Sequence, residues 1–280
     1  MSSSFKIFWA FKMNLMKNKK GIIMGVANER SIAWGIAEQL SKNGADLIFT
    51  YQNESLKKRI IPLAESINCK QLYQCDVAEN PEGKNSIENF ISLLKSDSHK
   101  IDFIVHAIAF SDKEELKGKY LETSRKNFLQ TLDVSTFSFT RIVKSCLPII
   151  NPKGASLLTL TYLGAKKTTP NYNVMGVAKA ALETSVQYMS MDLGPKNIRV
   201  NAISAGPMKT LAGAAISGAR HVFRYSEKVT PLKANPDLKQ VGNAALYLLS
   251  DLSSGVSGVI HNVDGGLHST GVPAQKDIEF

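Results

Sequence analysis

The chain has 280 residues, 44% of them hydrophobic and 21% charged, which are the values of a globular protein and exclude a globally disordered one. Its net charge is +10, but half of that excess is five lysines (Lys6, Lys12, Lys17, Lys19, Lys20) within the first twenty residues, which contain no acid, so the charge argues poorly for a nucleic-acid partner. No apolar run approaches the ~18 residues of a membrane span. Cys69, Cys75 and Cys146 are widely spaced, make no metal-ligand pattern and fit a reduced, cytoplasmic compartment as small core residues.

Met1–Asn18 reads as a leader bearing Ser and Lys, with Phe5, Ile7, Phe8, Trp9 and Phe11. Lys6 and Lys12 interrupt its apolar part and no small-residue cleavage site follows, which argues against a secretory signal. Organelle import is the weaker reading, because transit peptides favour Arg and none is present. A non-native or mis-assigned start, with Met13 or Met16 as the true beginning, stands beside it. Residues 1–18 are therefore expected outside the domain, 19–268 inside it, and 269–280 as a loose tail.

Gly21–Val26 is an apolar strand. Ser31 then caps a helix whose face is Ile32, Ile36, Ala37 and Leu40, ended by Asn43-Gly44. A second strand over Asp46–Tyr51 precedes a helix over Ser55–Ser66. Gln71–Cys75 is the third strand, Asn85–Lys95 a helix and Ile101–Ile108 the fourth strand. His106 within that strand reads as a core histidine. Helical patterns cover Leu121–Gln130 and Ser135–Leu147, and Ser156–Thr161 is the fifth strand. A helix from Tyr172 to about Asp192, stopped by Gly194-Pro195, leads to a sixth strand at Arg199–Ser204. After an irregular stretch with two glycines, Thr210–Lys233, Leu238–Leu249 is the last helix and Gly258–Val263 the seventh strand. This alternation predicts a single Rossmann-like, doubly wound α/β domain, with a seven-stranded parallel sheet and helices on both faces. A ligand then belongs at the C-terminal strand ends, at the switch point between the first and fourth strands.

Every unusual residue falls on that rim. Gly25 begins Gly-x5-Ser31-x3-Gly35, a longer loop than G-x-G-x-x-G that reads equally as a phosphate loop or an ordinary strand-helix turn. Gln52 stands where an acid often takes a ribose hydroxyl, and Lys57, Lys58 and Arg59 follow on a solvated helix face. The cofactor reading therefore leans to NADH with NADPH left open. Asp76 suits an adenine amine or a helix cap. Tyr172 and Lys179 are seven residues apart, on one helical face. Alone they describe a surface pair; after a fifth strand and a phosphate loop they describe a phenol and an ammonium that can act together on a developing oxyanion.

In Gly25-x5-Ser31-Ile32-Ala33-x-Gly35, Phe49-Thr-Tyr-Gln52, Gln74-Cys-Asp-Val-Ala78, Leu158-Thr-Leu-Thr-Tyr162-Leu-Gly164, Pro170-Asn-Tyr-Asn-Val-Met-Gly-Val-Ala-Lys179, Arg199-Val-Asn-Ala-Ile-Ser-Ala-Gly-Pro207 and Val263-Asp-Gly-Gly266, the chain resembles the short-chain dehydrogenase/reductases, and within them the bacterial enoyl-acyl-carrier-protein reductases. The resemblance covers about residues 19–268. Its discriminating feature is the six-residue gap between Tyr172 and Lys179, with Tyr162 ten residues earlier; most of the superfamily has a three-residue gap.

The resemblance implies NADH-dependent reduction of the trans-2 double bond of an enoyl thioester in fatty-acid elongation. It implies Tyr162, Tyr172 and Lys179 as catalytic residues, with Lys179 also on the nicotinamide ribose. Gly25, Ser31, Ile32, Gln52, Asp76, Val77, Ala109 and Thr210 would contact the dinucleotide, and Met175, Pro207 and Met208 the acyl chain. It implies an acyl carrier protein as partner, a cytoplasmic homotetramer, and no metal, nucleic acid or membrane. Two residues depart from the family pattern. Ala109 replaces a usual Gly, which is expected to weaken diphenyl-ether inhibitors, and Met208 replaces a branched aliphatic. The basic residues Lys209, Arg220, Arg224, Lys228 and Lys233 of the irregular stretch suit an acidic carrier, or simply a lysine-rich surface. The competing readings are a ketone-directed short-chain reductase and a nicotinamide-sensing protein without turnover, although such sensors usually lack the tyrosine or the lysine.

Overall fold

The computed structural model describes residues 14–80, 82–97, 100–214, 218–274 and 277. Seven parallel strands, β1 (Lys20–Met24), β2 (Asp46–Tyr51), β3 (Gln71–Gln74), β4 (Phe103–His106), β5 (Ala155–Thr161), β6 (Ile198–Ala205) and β7 (Ile260–Val263), form one sheet in the order β3-β2-β1-β4-β5-β6-β7. The order reverses between β1 and β4, where Gly21 pairs with Phe103 and Met24 with His106. The strands are apolar on both sides because both sides are covered. Ile22 and Met24 of β1 enter one core with Ile104 and Leu157, while Ile23 enters the other with Phe49, Val105 and Leu158.

The first core is closed by α3 (Ile87–Ser96), α5 (Ser138–Cys146) and α6 (Asn173–Leu193), the second by α1 (Ile32–Lys42), α2 (Glu54–Ser66) and α9 (Leu238–Leu249). Arg199 fastens β6 to the end of α9, donating to the carbonyls of Leu248 (2.9 Å) and Ser250 (3.1 Å) and to Ser253 Oγ (2.9 Å). The three cysteines are buried and free. His106 is buried too, with Nε2 2.8 Å from Ser138 Oγ and Nδ1 3.3 Å from Thr159 Oγ1. Burial lowers its pKa to about 3, with a smaller contribution from the Lys179 charge, so it is a neutral core group.

Three expectations change. Residues 14–18 belong to the domain rather than to a leader: Met16 is fully buried and its N–H donates to Asn43 O (3.0 Å). The rest of the leader expected at residues 1–18, residues 1–13, lies outside the described residues. Second, the two helices of the middle region join. α4 (Arg125–Leu132) runs through a π-helical turn at Asp133–Phe137 directly into α5. Ser135 and Thr136 break the apolar period there because each bonds outward, Ser135 Oγ with the backbone of Phe110 and Thr136 Oγ1 to Ala178 O (2.7 Å). Third, the irregular stretch contains α7 (Leu211–Ala214) and a regular 11-residue helix, α8 (Ala219–Val229). In the expected tail, Asp277 accepts from Lys233 Nζ (2.7 Å). Among the described residues no helix is long and apolar enough to cross a membrane.

Candidate active site

Six strand ends, those of β1 to β6, supply the site. After β1 the chain turns at Gly25 with φ +97°, and a Cβ there would collide with the Ala107 carbonyl that follows β4. Only glycine lets the two loops meet at the switch point. Ser31, buried at the start of α1, does not cap its own helix; its Oγ accepts from the N–H groups of Ala27 and Asn28 (3.0 Å each) and so shapes the loop. The first-turn N–H groups of α1, at Ile32 and Ala33, have no earlier helical turn to bond to and lie at the positive end of an 11-residue helix, which suits a pyrophosphate.

The next two strand ends are tied together. Gln52 Nε2 donates to Asp76 Oδ2 (2.9 Å), and Asp76 Oδ1 accepts from Ala78 N–H (3.0 Å), so Asp76 serves a turn as well as facing Gln52. Val77 is buried. Arg141 on α5 braces this loop, pairing with Glu88 at 2.7 Å and donating to Glu79 O. Lys57 is already engaged, 3.3 Å from Glu54 and over the ring of Tyr51. Ala109, after β4, is exposed, and its neighbour Phe110 is held to Ser135.

Tyr162 and Tyr172 meet after β5, ring centroids 5.1 Å apart and 69° between planes. Tyr172 sits at the start of α6 between Asn171 and Asn173, at φ +58° and +37°, left-handed positions that asparagine tolerates better than other side chains. Asn173 Nδ2 fixes that turn by donating to Leu116 O (3.1 Å). Gly164, in the 3-10 turn Leu163–Ala165, lies so close that a Cβ would stand 2.5 Å from the Tyr172 ring. Burial raises the pKa of both phenols, and for Tyr172 the neighbouring Tyr162 adds to it. Both are neutral hydrogen-bond donors at ordinary pH. Lys179, two turns along α6, is buried and donates to Leu160 O (2.8 Å) at the end of β5. Desolvation lowers its pKa to about 8, and the Glu183 charge opposes that fall.

Around the tyrosines lies a small apolar cluster: Met175, Val174, Ala178 and Leu116, with Phe128 and Leu132 of α4 against it. Met175 joins Tyr162 and Tyr172, whereas Pro207 and Met208 do not enter this cluster. Met208 packs on the other core and lines a cavity of about 500 Å³ with Arg30, Lys209, Thr210, Phe223 and Leu238, beneath α8. Sequence reading missed Glu183, Leu116, Phe128 and Arg141. The only sequence signal was for Glu183, an acid four residues after Lys179, and that spacing is shared by ordinary surface pairs. Among the described residues no cluster of potential metal ligands occurs.

The arrangement offers an anion site, a neutral phenol and a buried ammonium on one rim. Comparison with known proteins agrees in kind. Residues 25–268 match the family "Enoyl-(Acyl carrier protein) reductase". The chain is 53% identical over 260 residues to enoyl-[acyl-carrier-protein] reductase [NADH] 1 of Rhizobium meliloti, covering 93% of this chain and 94% of that one. It is 45% identical to the NADPH-named enzyme of Staphylococcus aureus, over 91% of this chain and 98% of that one. A crystal structure of the enoyl-(acyl-carrier-protein) reductase of Anaplasma phagocytophilum in complex with NAD superposes with a TM-score of 0.88 at 48% identity, covering 93% of this chain and 97% of that one.

Proposed function

We propose, for a chain that belongs to the enoyl-(acyl carrier protein) reductase family, that the groups on this rim divide one reaction among them. The protein is an NADH-dependent oxidoreductase of fatty-acid biosynthesis that reduces the trans-2 double bond of an enoyl thioester. NADH, when bound, supplies the reducing equivalent that adds to the β-carbon of the substrate. Tyr172 donates to the thioester oxygen as negative charge accumulates there, and the observation that carries this role is its burial as a neutral donor against Tyr162. Lys179 holds the nicotinamide ribose hydroxyls and adds positive charge. Tyr162 borders the thioester and helps place it for protonation at the α-carbon.

Gly25, Ser31 and Ile32 hold the pyrophosphate, Gln52 a ribose hydroxyl, and Asp76 with Val77 the adenine; Ala109 and Thr210 contact the nicotinamide half. Met175, Pro207 and Met208 line the acyl path, with Met175 against the tyrosines and Met208 under α8. Gln52 is neutral, and Lys57 is occupied by Glu54, so a 2′-phosphate finds no ready partner in either; NADH is preferred.

The substrate arrives on an acyl carrier protein. Arg220, Arg224 and Lys228 on α8 give an acidic carrier a basic rim. The assembly is a cytoplasmic homotetramer: α6 presents Val177, Tyr188 (72% exposed) and Met191 (79%) along one side, and Phe137 projects from the π-helical turn, apolar area that a second copy would cover. The test is absorbance of the reduced cofactor with a crotonyl thioester. Consumption of NADH well ahead of NADPH is expected; equal or reversed use would contradict the roles given to Gln52 and Lys57.

A further inference from the structure

We propose that Glu183 is a positioning residue for this reaction, a buried carboxylate that keeps Lys179 charged and clamps the end of β5 and the tyrosine loop to α6. It rests on the reading that Lys179 acts as a cation on the ribose. Glu183 stands four residues after Lys179, one turn further along the same helical face, and is itself buried. Its Oε1 accepts from Thr161 Oγ1 at 2.9 Å, and Thr161 is the last residue of β5, directly before Tyr162. Its Oε2 lies 3.7 Å from Lys166 Nζ, in the loop that joins the two tyrosines. Lys179 grips the same strand end at Leu160 O. Two side chains one turn apart on α6 therefore hold two successive residues of β5, and one of them also holds the tyrosine loop.

The clamp has an electrostatic consequence. A fully buried ammonium loses its water, and a single hydrogen bond to a carbonyl does not replace it. The ionisable groups that bear on Lys179 are few. From β4 comes His106, neutral and bonded to Ser138 and Thr159. The two phenols at the same strand ends, Tyr162 and Tyr172, are neutral too. On α6 itself stands Glu183, whose charge works against the desolvation of Lys179. Lys166 competes for Glu183 but is 60% exposed, so solvent screens it.

The experiment is the pH profile of kcat/KM for NADH, at a fixed saturating crotonyl thioester, for the full-length wild type, Glu183→Gln, Glu183→Asp and Lys179→Met. Glu183→Gln is nearly isosteric, and its amide oxygen still accepts from Thr161, so the strand clamp survives while the charge goes. The expected result is that the alkaline limb moves to lower pH by about one pH unit, a loss of roughly fivefold at pH 8 that approaches tenfold at higher pH. Glu183→Asp, which keeps the charge, leaves the limb where the wild type has it. A limb that stays in place in Glu183→Gln, or that moves alike in both variants, overturns the proposal. Lys179→Met separates the two readings. If it binds NADH as well as the wild type does, the cation role of Lys179 fails and the role of Glu183 falls with it. If it loses affinity while Glu183→Gln keeps the wild-type limb, only the Glu183 inference fails.

Discussion

Helices α6 and α8 both border the C-terminal strand ends, but they are built differently. Of the 21 residues of α6, nine are buried, including Tyr172's neighbours Val174 and Met175 and the charged pair Lys179 and Glu183. Of the 11 residues of α8, only Ser226 and Val229 are buried. α6 is tied to the π-helical turn and to β5 by three side-chain hydrogen bonds: Thr136 to Ala178 O, Lys179 to Leu160 O and Thr161 to Glu183. α8 hangs mainly on Asn235, which takes the Ser226 hydroxyl (2.6 Å) and donates to Phe223 O (2.8 Å). The difference separates two jobs. The proposed catalytic groups Tyr172 and Lys179 sit on the more deeply buried element, as a site that needs fixed geometry requires. The basic rim proposed for the carrier protein sits on an element with few buried residues, which can repack locally at small cost.

Substitutions sharpen this contrast. The largest effect is expected at Tyr172. Tyr172→Phe keeps the ring packed on Tyr162 and removes one donor, so kcat with a crotonyl thioester falls by about 100-fold, while the melting temperature stays near that of the wild type. A rate within a factor of two of wild type would break the division. Lys179→Met comes next, with NADH affinity falling by about tenfold in a direct binding titration.

The same variant makes a stability prediction with a definite sign. The folded-state pKa of Lys179, about 8, lies below the ordinary 10.5. Between those values the unfolded chain holds a proton that the folded chain has released, so this group makes stability rise as pH increases from 8 to 10.5. Below pH 8 the cost of the buried charge is present in full. Lys179→Met removes that cost and is expected to raise unfolding free energy at pH 7 by about 1–2 kcal/mol in urea, and to flatten the rise between pH 8 and 10.5. A destabilised variant with a wild-type pH slope would contradict the burial argument.

Smaller effects belong to the looser rim. Ala109→Gly removes one methyl from the exposed loop after β4, and the inhibition constant of a diphenyl ether is expected to fall by about fivefold; an unchanged constant counts against the placement of Ala109 beside the nicotinamide. Phe223→Ala removes the ring that lies 4.8 Å from Lys209 Nζ on the cavity under α8. It is expected to change the KM for the thioester by a few-fold and stability by about 1 kcal/mol or less. A collapse of kcat instead would place α8 in the chemical step and erase the contrast with α6.

The parallel sheet was readable because its strands are short apolar runs separated by capped helices, and all seven lie within about two residues of where the pattern puts them. The pair Tyr172 and Lys179 was readable because spacing along one helix is a local property. What escaped depends on contacts between distant segments. Glu183 looks like any surface acid until Thr161, 22 residues away, is brought against it. Arg141 looks like a solvated cation until the loop after β3 folds over it. Met16 looked like part of a lysine-rich leader, yet its side chain completes the core beneath α1. The π-helical turn interrupts the helical period, so the sequence divides what the chain joins.

Tyr172 and Lys179, a phenol and an ammonium seven residues apart, are proposed to serve reduction of a C=C bond rather than a C=O bond. The direct measurement is NADH oxidation at 340 nm, in parallel, with a trans-2-enoyl thioester such as crotonyl and with the matching acetoacetyl thioester. Steady consumption with the crotonyl substrate, abolished to within about 1% in Tyr172→Phe, and none with acetoacetyl is the predicted result. Turnover of the acetoacetyl thioester with the crotonyl substrate untouched would contradict it.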